Sequence, residues 1–325
     1  MTEIATAADG AAFKDRKVGL IVFGIFQILL GALCALLVPL MILASLVDKN
    51  ASSGMNFTAM ASGMLFYAFL AAWFITMGIG SLRARRWARA LSLIFSWLWL
   101  VCGIGGLLFM ILFMSDMYTK MGQNGQMPPG VARIAQFVMM GTLSVIYVIL
   151  PGIFVFFYQS HHVKATCDAR DAQTRWTDQC PLPVLALSLM FWSWAASTLF
   201  MAFHNWVVPF FGHILSGRAG AACIFAAAAL SAYVAWGSYR LRVAAWWCAA
   251  VIAAVWGVST IITFARIDLF DLYRKMNVPA GQIETMKQFG MPQGEAMIGF
   301  ALAWFVGFLV YLLYTKKYFK PATQI

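Results

Sequence analysis

Eight stretches of this chain, at 18–47, 58–82, 89–115, 132–158, 182–208, 219–239, 243–265 and 296–315, are predominantly apolar, and no ionisable residue except His204 lies well inside any of them. A run of about 20 such residues is what a helix needs to cross the hydrocarbon of a bilayer. Inside lipid no water is present to satisfy a backbone N–H or C=O, so a spanning segment must bond to itself as a helix or close into a barrel. Runs of this length are helical, and the sequence therefore predicts an all-α, polytopic membrane protein with eight spans. Composition agrees: 62% of the residues are hydrophobic and 11% charged, whereas soluble domains hold about 25% charged residues. The first run is about twice as long as the apolar core of a secretory signal and has no small-residue cleavage site after it, so it is expected to stay in place.

The formal net charge of +11 raises the question of nucleic acid. The basic residues sit singly or in threes and fours beside apolar runs, a pattern that orients helices and makes no continuous basic face. No nucleic-acid partner is expected. With a cytoplasmic N-terminus, the inner segments hold Lys14, Arg16, Lys17, Arg83, Arg85, Arg86, Arg89, Lys164, Arg170, Arg175, Arg240, Arg242, Lys316, Lys317 and Lys320, which is 15 of the 23 Lys and Arg. The outer segments hold the other 8. Asp and Glu split evenly, so the positive-inside rule places both termini in the cytoplasm.

The chain also repeats itself. Gly80-Ser81-Leu82-Arg83-Ala84-Arg85 reads against Gly237-Ser238-Tyr239-Arg240-Leu241-Arg242, and Asp116-Met117-Tyr118-Thr119-Lys120-Met121 against Asp271-Leu272-Tyr273-Arg274-Lys275-Met276. Val38-Pro39 matches Val208-Pro209, and Tyr158 with Lys164-Ala165-Thr166 resembles Tyr314 with Lys320 to Thr323. Ordered self-similarity of this kind marks a duplicated unit. Four spans per half is an even number, so the halves run in the same direction as parallel repeats. The expected organisation is an N-terminal tail at 1–17 without a packing pattern, repeat 1 at 18–160, a cytoplasmic linker at 161–180, repeat 2 at 181–320 and a short tail at 321–325. Ala249, Ala253 and Gly257, and likewise Ala222 with Ala226, recur at the four-residue spacing that lets membrane helices approach closely. Segment 279–289, led by Pro279 with Ile283, Met286 and Phe289 on one side, reads as a short surface helix.

Candidate chemistry is sparse. His161, His162, Cys167 and Cys180 place two imidazoles and two thiols within 20 residues, a sensible tetrahedral zinc set, although without the paired clips of a zinc finger. Zinc at this linker is the one cofactor the sequence offers; otherwise none is expected. Met110, Met114, Met117 and Met121 form a helical stripe of soft thioethers, but such stripes are ordinarily packing. His204 and His213 flank Pro209 with no matching histidine on another span. Asp116 with Lys120, and Asp271 with Lys275, are four apart and can bridge on a helix, with Tyr118 and Tyr273 as headgroup anchors. A structural role is expected for all six.

The phosphate-binding, metalloprotease and nucleophile-elbow motifs are missing from the sequence. No span carries the central ionisable residue usual in coupled transport. The expected function is a non-catalytic integral membrane subunit or scaffold that packs with other membrane proteins or with itself. An uncoupled carrier or channel for a neutral or lipidic solute is the alternative. The Ala-rich style suggests a bacterial inner membrane.

Overall fold

The computed structural model describes residues 4–6, 12–47, 57–123, 128–288 and 294–319. Among them are eight helices long and apolar enough to cross a membrane, over 17–43, 61–82, 86–112, 133–159, 182–204, 217–239, 243–266 and 295–318. The chain divides into two compact units, one comprising 1–50 and 63–179 and the other 51–62 and 180–325.

In the first unit, α1 (Lys17–Val47), α2 (Phe57–Leu82) and α3 (Arg86–Gln123) are long apolar helices. Gly24 and Gly78 let α1 and α2 meet backbone to backbone. A Cβ on Gly24 would lie 2.9 Å from the Gly78 carbonyl, and one on Gly78 would lie 2.6 Å from that of Gly24. Small residues at such crossings supply van der Waals contact where lipid offers no hydrophobic drive. The fourth span is α4 (Pro129–Ser144), a π-helical turn over Val145–Ile149 and α5 (Leu150–Gln159) in direct succession. Pro151 explains the wide turn, because it has no N–H for the carbonyl of Tyr147 one turn back. The Leu150 N–H donates to the Val145 carbonyl.

Four buried polar side chains tie these helices together. Gln27 Nε2 donates to Ser92 Oγ at 3.0 Å, Ser81 Oγ donates to Gln27 Oε1 at 3.2 Å, and the Ser81 and Tyr158 hydroxyls share a bond of 2.8 Å. One bond set thus spans α1, α2, α3 and α5, and Tyr158 is fully buried. Satisfying every member is what makes a buried polar network specify one packing arrangement.

At the end of the unit that carries the α2–α3 turn lies α6 (His161–Arg170), followed by a 3-10 turn at Trp176–Asp178. The N-terminal segment, expected to lack a packing pattern, is a short antiparallel hairpin of β1 (Ile4–Thr6) and β2 (Ala12–Lys14) with Phe13 buried. It is tied to α6: Arg16 N donates to Thr166 Oγ1 at 3.0 Å, Lys14 N to His162 Nδ1 at 3.4 Å, and Arg170 pairs with Asp15. Side chain to backbone bonds of this kind leave no trace in hydropathy.

The second unit holds α7 (Leu182–Thr198), α8 (Gly217–Tyr239), α9 (Val243–Arg266) and α12 (Glu295–Thr315), with the short helices α10 (Leu269–Lys275) and α11 (Ala280–Gln288) between α9 and α12. α11 occupies the segment expected to be a short surface helix and buries Ile283. The α7–α8 crossing uses a hydroxyl, with Ser188 Oγ donating to the Ala235 carbonyl at 2.7 Å.

The apolar run expected to continue as a span to residue 208 does not. It passes into a 3-10 turn at Leu199–His204, stops at Asn205 and Trp206 in the left-handed region (φ 58° and 53°), and forms a hairpin of β3 (Val208–Phe210) and β4 (His213–Leu215). Val208-Pro209 therefore stands in a strand, whereas Pro39 stands inside α1. Phe211 and Gly212 both have positive φ, as the tight hairpin turn requires. Phe211 N donates to Ser259 Oγ at 2.9 Å and Gly212 N to Thr263 Oγ1 at 3.3 Å, which pins the turn to α9.

The two Gly-Ser-x-Arg stretches adopt one local structure. Ala84 and Leu241 have φ of 50° and 55°. Arg85 N donates to Gly80 O and Arg242 N to Gly237 O, both at 2.9 Å; Ala84 N reaches Ser81 O at 2.9 Å and Leu241 N reaches Ser238 O at 2.8 Å. This is the paired left-handed cap that ends one helix and launches the next. Gly80 and Gly237 are needed because a Cβ there would lie 2.4 Å and 2.5 Å from the Cβ of Ala88 and Ala245.

Candidate functional site: an apolar cleft in the second unit

Three helices of the second unit each turn the same kind of face to a common space. α7 contributes Met190, Ser193, Trp194 and Ser197; α9 contributes Ala253, Trp256, Gly257 and Thr260; α12 contributes Ala301, Trp304, Phe305 and Phe308. In every case the spacing is i, i+3, i+4, i+7, one stripe of a helix. The cleft is open to its surroundings and has a volume of about 640 Å³, within the range of about 300–1,000 Å³ typical of small-molecule sites.

The space exists because side chains along the stripes are small where the helices converge. Gly257 is the tightest point: a Cβ there would lie 2.5 Å from the ring of Phe305. Each stripe supplies one indole. Trp194 and Trp256 meet edge to face with centroids 5.7 Å apart, and Phe210 of β3 stands 6.4 Å from Trp256, so the hairpin adjoins one end of the cleft. Phe191 touches both Trp194 and Phe308, at 5.9 and 6.2 Å. Counted from the helix ends at Leu182, Val243 and Thr315, the three indoles lie about 17–20 Å along their helices.

The hydroxyls lining the cleft are engaged by their own helices. Ser193 Oγ donates to Leu189 O at 2.7 Å, Ser197 Oγ to Trp194 O at 3.0 Å and Thr260 Oγ1 to Trp256 O at 2.8 Å. No charged side chain lines the space. What remains is ring surface, methyls and methylenes, a lining that offers dispersion contacts.

The sequence reading missed this site. It assigned Ala249, Ala253 and Gly257 to helix packing, and Ala249 is indeed fully buried. The available signal was position: Trp194, Trp256 and Trp304 are mid-helix, where an interfacial belt does not reach.

The candidate zinc set does not assemble. Among the described residues no three His, Cys, Asp or Glu side chains come together in a metal-holding group. His161 and His162 begin α6, with His162 Nδ1 accepting from Lys14 N. Cys167 and Cys180 are buried, which pushes the first thiol up to about 12 and the second to about 11.

Of the six expected structural residues, Asp116, Tyr118 and Lys120 have side chains outside the described residues. Asp271, Tyr273 and Lys275 lie on α10, and Asp271 pairs with Arg274 at 2.6 Å, not with Lys275. The helix restarts at Asp268, whose side chain caps it by accepting from Phe270 N, and Arg274, three residues after Asp271, is the cation that Asp271 meets. His204 ends the 3-10 turn and His213 is exposed on β4.

The most strongly charged site is in the first unit. Asp171, at the C-cap of α6, is 1% exposed and accepts from Arg85 Nη1 at 3.1 Å, Arg175 Nη2 at 2.8 Å, Arg175 Nε at 3.1 Å and Arg86 N at 3.3 Å. Arg86 also pairs with Asp168 at 3.0 Å and Asp178 at 3.3 Å. Bonds from Arg175 first, and from Arg86 and Arg85, hold the Asp171 carboxyl below the usual carboxylate range. The arrangement locks α6 to the α2–α3 turn.

No protein-family model, curated protein or solved structure matches this chain.

Proposed function

We propose that the chain is a non-catalytic, multi-pass protein of the cell membrane, of bacterial inner-membrane type, whose second unit holds the hydrocarbon part of a lipidic solute. Two parallel four-span repeats with both termini cytoplasmic are the arrangement this reading takes. The even span count, the 15 of 23 basic residues on one set of loops and the shared left-handed turn at Ala84 and Leu241 support it. The cleft lined by Trp194, Trp256 and Trp304 is the observation that carries the ligand. An uncharged, donor-poor slot at mid-span fits a chain that enters from lipid and needs no ion to move it.

The test is native mass spectrometry of the purified protein with lipid extraction, comparing wild type with Ala301→Phe, which fills the cleft from α12. A retained lipidic molecule near one per chain, lost in Ala301→Phe at unchanged thermal stability, is the expected result. Equal retention by the two proteins refutes the reading.

A packing subunit is the second reading. Ala222 and Ala226 of α8 are exposed beside exposed Phe225, a small-residue face of the kind that admits another membrane helix. The same experiment reads it out as co-purifying membrane proteins or a second copy of the chain.

A further inference from the structure

The cations at the α8–α9 end of the second unit lie over aromatic rings, a contact that no described cation of the first unit makes. In the first unit Arg85, Arg86, Arg170 and Arg175 are each paired with Asp15, Asp168, Asp171 or Asp178. In the second, Arg240, Arg242, Lys316 and Lys317 are all exposed and, among the described residues, none pairs with a carboxylate. The only acidic residues of that unit are Asp268, Asp271, Glu284 and Glu295. They follow the far end of α9, about 36 Å along the helix from its start.

In place of carboxylates, these four cations lie over aromatic rings. Arg242 sits 4.3 Å and Arg240 5.9 Å from the centroid of Trp236. Lys316 stands 5.1 Å from Trp246 and 5.4 Å from Trp247, and Lys317 stands 4.0 Å from Tyr314 and 5.1 Å from Tyr318. Trp246 is itself fixed, since its Nε1 donates to the Leu312 carbonyl at 2.9 Å. The first turn of α9 therefore joins both basic segments into one rim. A ring engages the face of a guanidinium or one side of an ammonium, leaving the remaining N–H donors turned to the surroundings. Exposed indole and phenol rings are the side chains that settle at the headgroup level of a bilayer.

We propose that the rim of Arg240, Arg242, Lys316 and Lys317 docks the phosphate groups of anionic phospholipids in the cytoplasmic leaflet. Four unneutralised cations, held in place by rings that favour the headgroup level, complement a surface that bears net negative charge. The inference rests on the membrane orientation proposed above and is independent of what occupies the cleft.

The experiment uses the full chain, delipidated in mild detergent and titrated with phosphatidylglycerol or phosphatidylcholine of identical acyl chains, with bound lipid counted by native mass spectrometry. Wild type retains phosphatidylglycerol in preference to phosphatidylcholine. Each of Arg242→Gln and Lys316→Gln lowers that preference about fivefold, Lys316→Arg preserves it, and Lys287→Gln on α11 leaves it unchanged. Equal retention of the two lipids by wild type, or a preference that survives Arg242→Gln combined with Lys316→Gln, overturns the proposal. Orientation is read separately, with C-terminal fusions to a fluorescent protein and to a phosphatase active only outside the cytoplasm. An external C-terminus overturns the leaflet assignment together with the topology. An internal C-terminus with no lipid preference overturns the docking alone.

Discussion

Asp171→Ala removes the acceptor on which the α6 lock converges. Four donor contacts end on this one carboxylate, at 2.8 to 3.3 Å, while the side chain keeps 1% of its exposure. A hydrogen bond to a charged group contributes about 1.5–3 kcal/mol when its partner is deleted. The arginines are partly exposed, Arg85 at 38% and Arg175 at 27%, so water recovers some of the loss and the four contacts do not add. The net cost is therefore taken as about 2 kcal/mol, or about 30-fold in a local opening equilibrium. Cys167, one turn earlier on α6 and buried, is the natural reporter. Its modification by a thiol reagent at fixed pH, located by peptide mass spectrometry, should accelerate by about that factor if opening is fast relative to labelling. Cys180, assigned to the second unit, should not change. An unchanged Cys167 rate refutes the lock, and equal acceleration of both cysteines shows global unfolding in place of local release.

The same carboxylate sets a pH dependence: its folded pKa is lowered, so its stabilisation is complete above the unfolded value of about 3.9 and is lost as pH falls through the folded one. Hydrogen exchange of α6 should hold steady in protection from pH 7 to 5 and fall below about pH 4; loss of protection between pH 7 and 5 would contradict the sign. In the α2–α3 turn, Ala84→Gly should stabilise by about 0.5–1 kcal/mol by relieving φ 50°, while Gly80→Ala destabilises by crowding Ala88; thermal unfolding in one detergent ranks them, and the reverse order would be fatal. Gln27→Leu should cost about 1–3 kcal/mol by leaving the buried Ser81 and Ser92 hydroxyls short of a partner, read by the same assay, with a neutral result removing the network from the account. Tyr273→Ala should cost more than Lys275→Ala, because Lys275 is exposed and Asp271 pairs with Arg274; a costlier Lys275 would restore the motif as a functional site.

Local hydropathy alone determined the eight candidate spans. Each span is decided by whether some 20 consecutive side chains prefer lipid, a property of the residues themselves. The turn at Gly80-Ser81 and Gly237-Ser238 was legible as a repeated word, and its two copies fold alike because a left-handed cap is also local chemistry. Legibility ended where an apolar run can be either helix or hairpin. Trp206, Val208, Phe210 and Phe211 are as apolar in β3 and its turn as they would be in a span, and the decision came from Ser259 and Thr263, some 50 residues on, which bind that turn.

Tertiary structure also chose among partners that sequence leaves equivalent. Asp271 has cations at three and four residues' distance, and in the folded α10 it pairs with Arg274. Asp171 has Arg170 beside it and Arg175 four residues on, yet Arg85 and the Arg86 amide come from another helix boundary altogether. The cleft is the clearest case. Met190 to Ser197, Ala253 to Thr260 and Ala301 to Phe308 carry the same stripe spacing, but a stripe states only which residues share a face. That three such faces meet, at matching depth and with Gly257 admitting Phe305, depends on how helices distant in sequence pack, and packing of that kind is a property of the assembled unit.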